Sequence, residues 1–459
     1  MKIKTFKLRY WLIIASVLFS VSCKKFVDIP PPKTQAVSAS VFASDATATS
    51  AVVGLYDQIT TYNQTFLNGA VTVYAGLSAD ELNNLSANED FDAFRTNAVP
   101  ADNNTINSTI WKNAYSYIYQ TNAVLEGLDQ STGVSAATEA QLTGEMLFSR
   151  SLNYFYLVNL FGAVPLEDTT DYTLNSRAPR TDSAKIYTQM VADLLRAKSL
   201  LVASFGTTDN TRPTEMAAAA LLSRVYLYQR QWGAAESAAT EVINSGAYQL
   251  EPDLNQVFLN TSAETIFQLA RQNNNTSEGN VFIPGSGSIL PLFALTSTLL
   301  DAFEAGDQRK ADWVNSNTVN GQTYYYPYKY KARNSDALSE YYVVLRLAEV
   351  YLVRAEARAE QNNITGALAD LNMIRNRAGL PSSLAANTTD LLSAIRQERR
   401  VELFAEWGHR WLDLKRTGMA NQVLSVYKGA AWQATDVLYP IPFSQIQSNP
   451  FLTQNPGYQ

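Results

Sequence analysis

The 459 residues carry 36 Lys and Arg against 42 Asp and Glu, a net charge of −6, with 46% hydrophobic residues, one cysteine and one histidine. One cysteine excludes a disulfide framework within the chain, and one histidine excludes multi-histidine metal sites and most histidine-based relays. The acidic balance argues against nucleic acid and anionic lipid headgroups as partners.

Residues 1–22 read as an export signal. Lys2, Lys4, Lys7 and Arg9 form a basic opening, and Tyr10 to Val21 an apolar stretch. About a dozen residues give roughly 18 Å of helix, short of the ~30 Å hydrocarbon core, so the segment is expected to be processed rather than to span. It ends on Ser22-Cys23, and cleavage there exposes the sole cysteine for lipidation. Acylation with more than one chain anchors stably, so the body need not touch the bilayer. Losing residues 1–22 removes four of the 36 basic side chains and leaves 32 against 42, a net charge of −10. Residues 23–33 form a lipidated tether, stiffened by Pro30-Pro31-Pro32. No long Gly, Ser or Pro-rich linker divides residues 34–459, which read as one unit.

Helical periodicity dominates the body of the chain. From Glu139 to Phe161, Leu142, Met146, Leu147, Leu152, Phe155, Tyr156 and Leu160 recur at three- and four-residue steps, predicting one buried helix face that Gly162 ends. Thr181-Asp182-Ser183 offers N-cap chemistry for a second helix reaching Leu201. Two tighter pairs are expected, Thr214 to Arg230 with Trp232 to Asn244, and Tyr342 to Gln361 with Ile364 to Arg377. Aligning their second members sets Trp232 with Ile364, Ala235 with Ala367, Ala239 with Leu371 and Val242 with Ile374. Small residues at such places let paired helices approach while large ones fill the gap to the neighbour, the pattern of tetratricopeptide-like hairpins. Two unrelated amphipathic pairs are the plainer alternative. The fold class is therefore mainly α, a helical-hairpin scaffold with long loop-rich insertions and a few short strands.

Residues 272–331 interrupt the helices with Asn, Gly, Ser, Pro and Tyr. Asn273-Asn274-Asn275 and Gly285-Ser286-Gly287 mark loops, and Thr323 to Tyr326 a short strand. Further on, Arg399, Glu402, Glu406, Arg410 and Asp413 fall at three- and four-residue intervals, which would align alternating charges along one helix face. A packing network is the preferred reading of this ladder over catalysis, and His409 within it reads as a packed residue. Pro440, Pro442, Pro450 and Pro456 suit an extended tail wrapped on the helices.

Several segments in order resemble the SusD/RagB family of outer-membrane nutrient-uptake lipoproteins of Bacteroidetes. They are Cys23-Lys24-Lys25-Phe26-Val27-Asp28-Ile29-Pro30, the acidic pair Asp80-Glu81, and Leu345 to Ala357 with its Arg346, Glu349, Arg354 and Glu356. Glu398 to Leu403, Glu406, Arg410 to Arg416, Leu438 to Pro442 and Asn455-Pro456-Gly457-Tyr458 complete the series. Residues 342–459 hold the densest part of it. The resemblance implies a non-enzymatic receptor at the cell surface, anchored in the outer membrane through Cys23. It would bind a glycan or other oligomeric nutrient and cap a SusC-like TonB-dependent barrel transporter.

The residues suit that role independently, because sugars lay flat C–H faces on aromatic rings and hydrogen-bond to amides and carboxylates. Two loop clusters are candidates: Asn83, Asn84, Asp90, Phe91 and Phe94, and Trp313, Asn315, Asn317, Tyr324 and Tyr326. No catalytic residue, metal ligand or cofactor is expected, and neither a phosphate-binding loop nor a dinucleotide fingerprint occurs. The competing readings are a membrane-anchored glycoside hydrolase using a carboxylate pair, and a helical-repeat assembly scaffold.

Overall fold

The computed structural model describes residues 38–204, 209–333 and 337–458. The export signal, Cys23 and the tether lie outside the described residues.

Helix α1, Asp45–Thr61, starts where the Ser44 hydroxyl accepts from the Thr47 N–H, and it buries Ala48, Val52, Leu55 and Ile59 at helical spacing. Helix α2, Ala70–Ser78, is buried on every side. A short strand, β1, Leu82–Asn84, leads to α3, Glu89–Thr96, which gathers Glu89, Asp90 and Asp92 in its first turn, where the helix dipole favours them. A π-helical turn over Thr105–Lys112 feeds α4, Asn113–Asp129.

Helix α5, Ala136–Phe161, corrects one expectation. It is not amphipathic with a single apolar face: residues 141–158 are buried without a break. The helix packs against α1 and α4 and against α6, Ser183–Leu200, so its polar side chains need internal partners. Arg150 finds Asp193 in a two-pronged pair at 2.8 and 2.9 Å, and Glu145 accepts from Arg212 at 2.6 and 2.7 Å.

The first expected hairpin forms as α7, Glu215–Tyr228, with α8, Trp232–Asn244. The second lies further along the chain, after a group of strands: β2, Thr265–Leu269, β3, Phe293–Leu295, β4, Val314–Val319, and β5, Gln322–Pro327. Residues Tyr342–Arg346, expected to open a helix, instead form strand β6. Their aromatic and β-branched run suits a pleated strand, and antiparallel pairing with β2 buries all five. The helix begins only afterwards, as α9, Leu347–Glu360, paired with α10, Ile364–Arg377.

The turns of the two hairpins match. Arg230 and Asn362 both take left-handed φ, 57° and 59°. The Gln231 N–H donates to the Tyr226 carbonyl at 2.9 Å, and the Asn363 N–H donates to the Arg358 carbonyl at 2.8 Å. Equivalent residues thus make equivalent bonds. In addition α6 packs on α5 and α7, and α8 on α7 and α9, so the helices stack in sequence order.

The charge ladder also needs correcting. It does not lie on one helix, because α11, Thr388–Glu402, ends and α12, His409–Arg416, starts anew. Between them Ala405, Trp407 and Gly408 adopt positive φ of 50°, 48° and 69°. Gly408 is required there: a Cβ would stand 2.5 Å from the Ala75 methyl on α2. The charges still pair across this corner. Arg399 binds Asp413 at 2.8 Å, Arg346 reaches Glu402 at 2.6 Å and Glu406 at 2.8 Å, and Arg309 joins Glu398 and Glu402 at 2.6 and 2.9 Å.

Beyond α13, Ala420–Lys428, the prolines lead into a mostly extended tail interrupted by α14, Phe443–Ser448. Asn455 fastens it, donating to the carbonyls of Phe161 and Tyr439 at 2.9 and 2.7 Å. One buried apolar cluster runs from Phe42 to Leu452, with a smaller one among α9, α10 and α11. Among the described residues no helix is long and apolar enough to cross a membrane.

Candidate functional site

Strand β3 brings together the two loop clusters that the sequence sets far apart. It pairs antiparallel with β1, matching Asn83 with Ala294 and Asn84 with Phe293, and it also lies beside β5 of the β4–β5 hairpin. The hairpin turns on Asn320-Gly321, whose φ values of 52° and 79° suit a two-residue loop between twisted strands.

The structure separates the predicted residues by exposure. Trp313 is fully buried; its indole N–H donates to the Leu254 carbonyl at 3.0 Å, its ring meets Phe258 edge-on, and the Lys329 ammonium sits 4.6 Å from its centre. Phe94 is packed between Tyr74 and Tyr439, and Phe91 lies edge-on to Phe293 at 4.9 Å. Tyr326 is buried near Tyr328. These four rings belong to the core, and as placed none has a face to offer a sugar.

The polar candidates hold the loops. Asn84 accepts from the Ser86 N–H and hydroxyl at 2.9 and 2.7 Å and donates to the Asn88 carbonyl. Asp90 accepts from Asn103 and Thr105. Asn83 accepts from the Tyr427 hydroxyl at 3.3 Å, a long contact that leaves its amide N–H group for other use. Asn317 donates to the carbonyls of Ser286 and Ile289 at 2.9 and 3.0 Å, tying the hairpin to the adjoining loop. Asn315 is exposed.

What remains open to solvent differs in part from the expectation. Tyr324 is half-buried on the Asn317 face of the hairpin, and Tyr325, on the opposite face, is 41% exposed. The loop before β3 exposes Ile289, Leu290 and Leu292 by 52%, 40% and 47%. The Leu292 carbonyl accepts from the Leu85 N–H at 2.9 Å, so these apolar side chains stand beside the loop that follows Asn84. Three large aliphatic side chains thus stand open to water within four residues, a candidate contact surface. A signal for them exists in the sequence, an Ile-Leu-Pro-Leu run shortly after a Gly-Ser-Gly loop, which a search for aromatic residues passes over.

The ionisable groups nearby are spent on structure. Asp80 accepts from Arg410 at 2.7 and 3.0 Å and from Arg400 at 2.7 Å. Burial raises its carboxyl, but the two guanidinium groups outweigh that and hold it below the usual range. Burial pushes the adjacent Glu81 up to about 8, with the Asp80 charge adding to the shift. Burial likewise pulls His409 down to about 4, against the attraction of Glu349, so the imidazole is uncharged at neutral pH. Among the described residues no three His, Cys, Asp or Glu side chains are grouped to hold a metal ion.

Comparison with known proteins agrees along nearly the whole chain. The model of the SusD family matches residues 301–458, and one described as starch-binding associating with outer membrane matches residues 25–227. A SusD-like protein of Formosa agariphila is 25% identical over 99% of this chain and 100% of its own. The starch-binding protein SusD of Bacteroides thetaiotaomicron is 25% identical over 72% of this chain and 75% of its own. Among solved structures, a SusD superfamily protein from Bacteroides vulgatus superposes with a TM-score of 0.81 at 22% identity, covering 91% of this chain and 100% of that one. A laminarin-binding SusD-like protein superposes with a TM-score of 0.75 at 27% identity, with coverage of 91% and 100%.

Proposed function

The chain belongs to the SusD family, and from that premise we propose that it is an outer-membrane lipoprotein, anchored through Cys23, that binds an oligosaccharide without cleaving it. It delivers this ligand to a SusC-like TonB-dependent barrel. Relatives named for starch and laminarin binding support a glycan ligand, and the family description places such chains at the outer membrane. The observation that carries the reading is the meeting of three elements at β3: the Asn83 loop, the exposed aliphatic loop at 289–292, and the hairpin face that carries Tyr324. Apolar surface flanked by amides is what a sugar face with its rim of hydroxyls requires.

A hydrolase is the competing reading from chemistry. It needs two carboxyl groups open to the substrate. Asp80 and Glu81 have their ionisation pulled apart in a way that could serve an acid and a base, yet both are buried and two arginines occupy Asp80. A pure assembly scaffold would bury the exposed aliphatic loop against a partner protein and would bind no oligosaccharide.

Calorimetry of the mature protein against a panel of neutral and acidic oligosaccharides, with product analysis of the same mixtures, tests the proposal. Tyr324→Ala should weaken binding several-fold, since a stacked ring contributes about 1 kcal/mol, whereas Tyr325→Ala, on the face of the hairpin opposite Asn317, should leave binding unchanged. Trp313→Ala, an attractive choice on sequence grounds, should lower stability instead. Release of shorter sugars would favour the hydrolase, and binding indifferent to Tyr324 and to the 289–292 loop would discard this surface.

A further inference from the structure

A concavity of about 240 Å³ opens between α11, α12 and α13, and its walls carry three arginines, Arg396, Arg400 and Arg410. Helical spacing explains the first two. Arg396 and Arg400 stand one turn apart on α11, on the stripe that also presents Ser393 and Gln397, while Arg410 faces them from α12.

The positive charge there is not matched by the acids within reach. Asp80 has both oxygens occupied by Arg400 and Arg410. Asp413 also lines the cleft, but Arg399 and Arg416 hold its two oxygens, Arg399 at 2.8 and 3.2 Å and Arg416 at 2.7 Å. Arg396 has no ion-pair partner among the described residues, and the buried Nε of Arg400 meets no acceptor. Burial draws the Arg400 guanidinium down, Asp80 opposes this, and the neighbouring Arg410 adds to it. Because guanidinium groups do not shed their protons in proteins, the cleft stays cationic on a chain whose overall charge is negative.

We propose that this cleft binds an anionic oxygen group, a carboxylate or a sulfate, carried by the glycan ligand. The inference rests on the glycan-binding reading and adds a substrate class to it: acidic oligosaccharides. Position links the two sites. Asp80, which holds two of the arginines, is two residues before β1, and Thr298, whose hydroxyl accepts from Arg400 at 3.2 Å, is three residues after β3. The three-residue β1–β3 ladder, roughly 10 Å long, therefore has the arginine cleft at one end and the aliphatic loop at the other. A planar carboxylate or a sulfate takes paired N–H donors from such groups.

The test is calorimetry at fixed ionic strength on the mature protein with three probes: an acidic oligosaccharide, a neutral one of matched backbone, and inorganic sulfate. The variants are Arg396→Gln and Arg396→Lys, chosen because Arg396 takes no part in the internal ion pairs. The wild type should prefer the acidic sugar by about tenfold, as a charge-assisted hydrogen bond allows. Arg396→Gln should lose most of that preference, Arg396→Lys should retain part of it, and both should bind the neutral sugar unchanged. Sulfate should compete with the acidic sugar alone. Equal affinity for both sugars, or a preference that survives Arg396→Gln, would overturn the inference while leaving the glycan reading intact. Binding of sulfate without any preference for the acidic sugar would overturn it too. Failure of every sugar to bind would remove both.

Discussion

Among the described residues Glu402 pairs with more arginines than any other carboxylate. It is wholly buried, and Arg309, Arg346 and Arg377 all donate to it. Burial alone would push its proton affinity up, but the surrounding cations hold it well below the usual carboxylate range. A pair of this kind adds little over an apolar core, yet removing one partner leaves the others charged and unmatched. Glu402→Ala should therefore cost about 3–5 kcal/mol in urea unfolding. Glu81 makes the opposite case. Its carboxyl titrates at about 8 in the fold against 4.5 for the free side chain, so between those values the folded state holds a proton that the unfolded state has lost. Its contribution is thus intact below pH 4.5 and is lost as the pH rises to 8. Glu81→Gln should remove that dependence, and the stability of the variant relative to wild type should grow by up to about 1.4 kcal/mol per pH unit across this window. A flat difference between the two profiles would show that Glu81 does not hold its proton in the fold.

At the scale of elements, the corner between α11 and α12 gathers three positive-φ residues, Ala405, Trp407 and Gly408, within four positions. Gly408 combines a left-handed φ of 69° with a neighbouring methyl where its own Cβ would stand. Gly408→Ala should lower stability by about 1–3 kcal/mol through strain and overpacking, whereas Gly418→Ala, with φ 73° and open space, should cost less. Comparing the two variants by thermal unfolding separates close approach from dihedral strain. Nothing in the run of charges from Arg399 to Asp413 announces this corner, because the spacing continues the helical period straight through it. The helices that are legible in the sequence have local punctuation, such as Gly162 after α5 and Thr214 before α7. Strand β6 is hidden because its partner β2 lies more than seventy residues earlier, and pairing at that distance has no local mark. The β4 half of the hairpin does have one, the turn dipeptide Asn320-Gly321. The candidate site is half legible for a related reason. Loop membership marks segments that β3 brings together, but only packing decides which rings face out, and it turns Trp313, Phe91, Phe94 and Tyr326 inward.

Across the whole molecule, the first and last described segments share one interior. The apolar cluster that begins at Phe42 also contains Tyr439, Ile441 and Leu452, so the C-terminal tail completes the core instead of decorating it. Its polar bonds fall at the end of α5. Asn455 donates to the Phe161 carbonyl, one of the groups a helix terminus leaves unpaired, and Arg180 reaches the Thr453 carbonyl at 3.0 Å and the Asn455 side chain. Gln454 meanwhile accepts from the Ile441 N–H at 2.7 Å and donates to its carbonyl at 2.8 Å, closing the tail on itself. A chain ending at Ser448 would lose Leu452 from the core and all of these bonds together. We expect it to unfold several kcal/mol more easily, since each buried polar group left unpaired costs about 1–3 kcal/mol. Because the cluster is continuous, both the full and the shortened chains should melt in one calorimetric transition, the shortened one at lower temperature. Two separate transitions in the full chain would mean that the helical stack and the β3 face are held apart thermodynamically, and an unchanged melting temperature would mean that the tail is only draped over the body.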